Sequence, residues 1–322
     1  MSDNIRKKVL IVGAGTMTKE YIKVLKAMNV DFEVIGNSED RAKALQDETG
    51  ATVHFGGLEK YIAENEVSPN CYFINATNVT KLGFLNLYLL RHGCKHILSE
   101  KPGMVSLDEG YALLEAAKEA EVYIAYNRRF YASSLAAARI IEEDGGVTSF
   151  NIEFTEWRHV FDQLGEKDYL DKLVLANSTH VIDMAFFLSG GKVDSITSII
   201  KGQNDISWHK CGSVYGGVGT TDKGQIFTYS ANWDAPGRWA AELNTRNHRL
   251  IFRPLEKLQL QDKGSVKIYE PEVDYSFDEK YKPGLYKEVQ AFLNDNAERR
   301  LCTLQEQVNN LKFYSKISGE EI

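Results

Sequence analysis

The sequence predicts an α/β protein: an N-terminal Rossmann domain with a doubly wound parallel sheet, then a C-terminal α+β domain with a large, mostly antiparallel open sheet. Three observations carry that reading. Up to Tyr126, short continuous apolar runs alternate with segments of helical spacing, the pattern of parallel strands covered on both faces. The turn after the first run holds Gly13 and Gly15. Beyond a helix expected around Ser133 to Glu143, β-rich runs follow one another with turn signals between them.

In chain order, "KVLIVG", "FEVIG", "CYFINAT", "KHILSE" and "VYIAYN" read as buried strands. "YIKVLKAM", "RAKALQDE", "LGFLNLYLLRHG" and "LDEGYALLEAAKEA" read as the helices between them. In the second part "VTSFNIEFTEW", "GQIFTYSANW", "RWAAELNTR", "HRLIFRP" and "VKIYEP" read as strands, with turns at Asp222-Lys223-Gly224 and Asp262-Lys263-Gly264. Helices at about Leu285 to Asn294 and Leu304 to Ser315 close the chain. The expected division is residues 1–126 for nucleotide binding and 127–322 for substrate binding and oligomerisation.

Composition narrows the classes of function. The 322 residues carry a net charge of -7, which argues against a general nucleic-acid binder with a basic face. The N-terminal apolar run is short and ends in a glycine turn, and no window approaches about 18 uninterrupted apolar residues. Cys71, Cys94, Cys211 and Cys302 form no CxxC pair and are expected as free thiols. The seven histidines make no HExxH, so no metal is expected. A cytoplasmic protein without membrane partners is expected, with the sequons at Asn78 and Asn177 irrelevant there.

"VLIVGAGTMTKEYIKVLK" reads as strand, turn and helix. Gly13 permits the bend, and Gly15 lets the backbone approach a pyrophosphate seated on the helix amides. The third position of the GxGxxG pattern is Thr18, a departure expected to loosen helix–strand packing or redirect the phosphate contact. After the second strand, Asn37 and Ser38 stand where an NAD-binding turn has an acid, although Glu39 and Asp40 follow. A helix N-terminus, the Ser38 hydroxyl and the Arg41 guanidinium make an anion site, which favours NADP over NAD. The alternative is that Ser38 only caps and Arg41 is only solvated.

"HILSEKPGMV" places Lys101 beyond the carboxyl end of a strand, where ligands of such sheets bind. Pro102 keeps it out of the helical region. Together Gly13-Ala14-Gly15, Glu100-Lys101-Pro102, Tyr126-Asn127-Arg128-Arg129-Phe130 and His180-Val181-Ile182-Asp183 resemble, in order and spacing, the glucose-fructose oxidoreductase/inositol dehydrogenase (Gfo/Idh/MocA) family. The C-terminal "LYKEVQAFLNDNAERRLCTLQEQVNNLKFY" resembles its closing helices. The resemblance implies nicotinamide chemistry on sugars, polyols or sugar nucleotides, a dimer or tetramer formed through the C-terminal sheet, and a cis Lys101–Pro102 peptide. It implies that Lys101 contacts the substrate and the nicotinamide ribose. The cofactor set expected is Gly13, Gly15, Thr16, Met17, Asn37, Ser38, Arg41, Thr77, Asn78, Glu100 and Lys101.

"VLANSTHVIDMAFFLSG" is apolar around its helical axis except for His180 and Asp183. With Asn177-Ser178-Thr179 as a cap, the helix dipole disfavours imidazolium, and a neutral His180 can take the proton of an alcohol. Lys101 then stabilises the alkoxide, and Asp183 binds a further hydroxyl. The alternative is a satisfied buried pair. Asn177, Arg128 and Trp157 complete the expected substrate contacts; arginines at such junctions also make structural ion pairs, and an aromatic at a strand end also serves as core. Three positions depart from the family pattern. Ala176 replaces an Asp that orients the histidine, with Asn177, Glu156, Arg158 or His159 as substitutes, and Asn78 and Leu82 replace a proline and a histidine after the fourth strand. Two other functions stay open: a silent NAD(P)- or sugar-sensing protein, and a glycosidase or isomerase with retained cofactor.

Overall fold

The computed structural model describes residues 7–68, 70–164 and 168–322; the charged start of the chain lies outside the described residues. The chain forms two compact units, one running to Ala125 and joined by Leu285–Asn309, the other comprising Tyr126–Gly284 and Asn310–Ile322.

The first unit alternates β1 (Lys8–Val12), α1 (Thr16–Ala27), β2 (Asp31–Ile35), α2 (Glu39–Thr49), β3 (Val53–His54), α3 (Gly57–Glu64), β4 (Tyr72–Asn75), α4 (Leu82–Arg91), β5 (His96–Glu100), α5 (Leu107–Ala116) and β6 (Glu121–Ala125). The strands are parallel in the order β6-β5-β4-β1-β2-β3. Val9, Ile11, Phe73, Ile74, Ile97 and Leu98 are fully buried, so both faces are covered, as continuous apolar strands require.

The second unit holds α6 (Ala132–Glu143), β7 (Ser149–Glu153), α7 (Arg158–Asp162) and α8 (Thr179–Ser189). It continues with β8 (Val193–Lys201), β9 (Val214–Thr221), β10 (Ile226–Asn232), β11 (Ala240–Asn244), β12 (His248–Phe252), β13 (Gln259–Asp262), β14 (Ile268–Tyr269) and α9 (Ser276–Lys280). The eight strands form one sheet in the order β14-β13-β12-β11-β7-β10-β9-β8, antiparallel except where β7 meets β10. Along β10 burial alternates strictly, with Phe227, Tyr229 and Ala231 inward. Phe186 of α8 meets Phe150, Phe227 and Phe313 edge-on at 4.8–5.1 Å. Burying a side chain such as Phe227 contributes roughly 1.5–3 kcal/mol, so this aromatic layer fastens α8 to the sheet. The opposite face exposes Ile199, Val218 and Ile226, kept on one side by the pairing of Val218 with Thr197 and Thr228.

Three elements close the chain: α10 (Leu285–Leu293), β15 (Cys302–Thr303) and α11 (Leu304–Ser318). The compact units differ from a single division after residue 126, because the C-terminal segment returns to the first unit. There β15 adds an antiparallel strand to β6, and α10 packs on α1. Tyr72 joins this packing, its ring 5.2 Å from Phe292 and its hydroxyl donating to Asp295 at 2.6 Å. Covering the edge of β6 removes a row of unpaired backbone groups. Among the described residues no helix is long and apolar enough to cross a membrane.

Gly13 adopts φ +112°, and a Cβ there would stand 2.6 Å from the Ala76 carbonyl oxygen. The turn after β1 is thus pressed against the chain leaving β4. Gly13→Ala is expected to lower unfolding free energy by roughly 1–3 kcal/mol through this strain, measured by denaturant unfolding; unchanged stability would contradict the close approach.

Candidate functional site

In the first unit the turns after β1, β2, β4 and β5 leave the same edge of the parallel sheet. Strand order reverses between β1 and β4, the switch point at which such sheets bind ligands. Gly13 donates to Ile35 O at 2.9 Å, fixing the turn between β1 and β2. Gly15 occupies the cap position of α1 with no atom within 4 Å of a Cβ placed on it. No acid lies in the first turn of α1, and Gly15 and Thr16 are exposed, with Met17 half-buried. Open space before helix amides, reached past a glycine, fits a dinucleotide pyrophosphate.

Thr18 does not loosen this packing. Its side chain is fully buried and its hydroxyl donates to Gly13 O at 2.9 Å, tying the helix to the turn. Ser38 holds the cap position of α2, but its hydroxyl makes no cap hydrogen bond. Asn37, Ser38 and Arg41 are exposed, as are Glu39 and Asp40. Thr77 bonds Asn75 Oδ1 through Oγ1 at 2.7 Å, and Asn78 Oδ1 accepts from Val79 N at 3.2 Å.

The Lys101–Pro102 peptide is cis, and its turn is held on three sides. Tyr21 donates to Glu100 Oε1 at 2.8 Å, and Gln307 Nε2 donates to Pro102 O at 2.9 Å. Asn86 Nδ2 donates to Gly103 O at 3.1 Å and to Ser99 Oγ at 2.8 Å, while Asn86 Oδ1 accepts from Asn75. Lys101 itself is half-buried. Asn75, Asn86 and Ser99 are all fully buried, and the sequence reading passed over them. Their signal was a lone Asn in the apolar run "LGFLNLYLL". Leu82, where the family pattern has a histidine, is fully buried core.

In the second unit the carboxylate of Glu156, 1% exposed, is the hub. It accepts from Ser178 Oγ at 2.6 Å, Asn177 Nδ2 at 3.1 and 3.2 Å, Arg238 Nη1 at 3.2 Å and Trp239 Nε1 at 3.2 Å. Burial raises its pKa against the pull of these donors. His180 is buried with its ring 6.0 Å from Trp239 and 5.9 Å from Tyr126.

The segment carrying His180 corrects the expected cap. A π-helical turn, Val174–Ser178, runs straight into α8, and Ser178 has helical backbone angles of φ -66° and ψ -22°. Its hydroxyl and the Asn177 amide serve Glu156, and Thr179 donates back to Leu175 O. The free helical amides lie earlier, at Val174 and Leu175, where the Glu320 carboxylate accepts them at 2.7 and 3.0 Å. Dipole effects fade within a turn of the helix end, so the cap argument for a neutral His180 does not apply.

Asp183, expected to hold a substrate hydroxyl, is the buried partner of Arg129, which donates from Nε at 2.8 Å and Nη2 at 2.5 Å. The two side chains are 1% and 2% exposed. Ala176 is buried. Arg158 pairs with Asp234, and His159 is exposed. Trp157 is 46% exposed and donates to Gly237 O at 2.8 Å, which places it outside the core. Arg238 and Trp239, which the sequence reading did not single out, join Arg128 around one indole ring.

A family model described as "Oxidoreductase family, NAD-binding Rossmann fold" (Gfo/Idh/MocA) matches residues 7–128. Over this stretch the chain matches that family's Rossmann model. Solved structures extend the fold likeness over 97–98% of the chain. An oxidoreductase from Agrobacterium radiobacter, in complex with NAD+, L-tartaric acid and magnesium, is 14% identical with a TM-score of 0.76 over 94% of its chain. A putative NADPH-dependent oxidoreductase from Desulfitobacterium hafniense is 16% identical with a TM-score of 0.79 over 95% of its chain. A UDP-N-acetylglucosamine 3-dehydrogenase from Acidithiobacillus ferrooxidans is 15% identical with a TM-score of 0.74 over 97% of its chain. No curated protein matches the sequence.

Asp183→Ala leaves the Arg129 charge buried without its carboxylate and is expected to cost about 3–5 kcal/mol of stability, read by denaturant unfolding. A loss below about 1 kcal/mol, the value of an exposed pair, would contradict a structural role. Burial also pushes the Glu320 carboxyl from an ordinary 4.5 up to about 8. Between these values the folded state holds a proton that the unfolded chain has released, so the group's contribution is present below pH 4.5 and lost as pH rises towards 8. The stability of the wild type relative to Glu320→Gln should fall across that window; a constant difference contradicts it.

Proposed function

We propose that this chain is an NAD(P)-dependent oxidoreductase that moves a hydride between nicotinamide and a hydroxyl or keto carbon of a sugar, polyol or sugar nucleotide. The observation that carries the reading is the dinucleotide cradle at Gly13 and Gly15 on the same sheet edge as the fixed Lys101 turn. The solved dehydrogenases of like fold include a levoglucosan dehydrogenase in complex with NADH and levoglucosan, 17% identical with a TM-score of 0.75.

Bound nicotinamide would supply the hydride acceptor or donor. The chain's own part is to hold it and to manage charge and protons. Gly13, Gly15, Thr16 and Met17 would seat the pyrophosphate on the amides of α1, with Thr77, Asn78 and Glu100 lining the strand ends beside it. Lys101 is the group for negative charge that develops on the substrate oxygen, and His180 is the base for its proton. Glu156 acts on the turn before His180, holding Asn177 and Ser178. Neither oxygen of Asp183 is needed for substrate in this scheme.

NADP is the preferred cofactor. The Ser38 hydroxyl is not used as a cap, and Arg41 stands exposed in the first turn of α2, so both suit a 2′-phosphate. The exposed Ile199, Val218 and Ile226 support a homo-oligomer formed through the second sheet. A cytoplasmic carbohydrate enzyme is the setting we assign. A second reading, a nucleotide- or sugar-sensing protein without turnover, draws on the occupation of Asp183 by Arg129 and on Ala176.

Fluorescence titration with NADPH and NADH tests the cofactor assignment. Tighter NADPH binding, reduced about ten-fold in Arg41→Ala through loss of one charged contact, is the expected result; tighter NADH binding would transfer the ribose contact to Glu39 or Asp40. His180→Ala should lose at least about 100-fold in turnover, the lower range for a general base, with NADPH affinity unchanged. Undiminished turnover would remove His180 from the chemistry.

A further inference from the structure

Two guanidinium groups of the second unit lie against one indole. Arg128 Cζ is 4.8 Å and Arg238 Cζ is 4.5 Å from the Trp239 ring centre. Cation–π attraction favours each contact, yet it gathers two like charges and supplies no hydrogen-bond acceptor. Arg128 has five N–H donors and uses one on a neighbouring side chain, Nη1 to Asn127 Oδ1 at 3.1 Å. Its Nε is shut off from solvent and meets no acceptor among the described residues. Arg238 spends Nη1 on Glu156, which already accepts from Asn177, Ser178 and Trp239, and its side chain is 43% exposed.

The contrast with the adjacent arginine is informative. Arg129 is neutralised by a bidentate carboxylate, so the fold does provide acids where an arginine is structural. Around Arg128 the described residues place two aromatic rings, Trp239 and Tyr131, and no carboxylate within ion-pair distance. Burial pulls the Arg128 guanidinium below its ordinary pKa, with the Arg238 charge adding to that shift and Tyr131, Glu256 and Glu156, none of them within ion-pair distance, opposing it. A planar guanidinium fork matches a carboxylate or phosphate. The site is beside His180, whose ring is 6.0 Å from that of Trp239.

We infer that Arg128 and Arg238 form a subsite for an oxyanion carried by the substrate, so that the carbohydrate is acidic, bearing a carboxylate or a phosphate. The inference rests on the reading of the second unit as the substrate-binding part of an oxidoreductase, and it deepens that reading by naming the substrate class.

Isothermal titration of the full-length protein with glucuronate, glucose 6-phosphate and glucose, at fixed ionic strength, tests it. At least one acidic sugar should bind about ten-fold tighter than glucose, and that advantage should vanish in Arg128→Gln and Arg238→Gln, each removing a charged contact. A ten-fold preference between the two acids assigns the oxyanion to a carboxylate or to a phosphate; equal binding assigns recognition to the oxyanion alone. Glucose binding as tightly as both acids, no binding of either acid, or acid binding that survives both substitutions would each overturn the subsite. Arg238, being part-exposed, keeps the test open if Arg128→Gln fails to fold. Acidic sugars that bind through the arginines but never change reduced-nicotinamide absorbance would leave the subsite standing and defeat the oxidoreductase reading instead.

Discussion

A carboxylate buried to 1% exposure must be paired, and the second unit is arranged around pairing Glu156. Its donors come from separate stretches: Asn177 and Ser178 from the π-helical turn, Arg238 and Trp239 from the segment entering β11. Each bond also places a neighbour. The turn leads directly to His180, and Trp239 carries the two arginines against its ring. Removing the carboxylate would release both ends at once, since low dielectric makes each remaining polar group costly.

The first unit obeys the same constraint with neutral groups. Asn75, Asn86 and Ser99 form a buried chain of hydrogen bonds from the end of β4 to the turn after β5. Gln307 reaches the same turn from the returning C-terminal segment. Lys101 therefore stands on backbone fixed by several partners.

The sequence made the parallel sheet legible because its strands are apolar throughout, and the glycine turn because Gly13 and Gly15 sit between such a strand and a helix. It hid β8 and β9. Gly216, Gly217 and Gly219 make β9 read as turn, whereas the Phe227 and Tyr229 rings fill the space beside Gly217 and Gly219. The return of Leu285–Asn309 to the first unit was also hidden, since β15 is two residues long and its pairing with β6 is entirely non-local. His180 and Lys101 entered as site candidates by resemblance. Glu156 appeared only as one of several substitutes for the missing Asp, because a single acid near a strand end says nothing about the four residues that will bond it. The partner of Asp183 lay one position from the arginine singled out for ligand binding, a distinction that only side-chain geometry makes.

We propose hydride transfer between nicotinamide and a carbohydrate. Its most direct measurement is a single-turnover experiment: protein pre-loaded with NADP+ is mixed with a panel of neutral and acidic sugars, and absorbance at the reduced-nicotinamide band is followed. Reduction of bound nucleotide by at least one sugar is expected, lost in His180→Ala while nucleotide remains bound. Bound nucleotide that no sugar reduces would contradict it and make the protein a sensor on this fold.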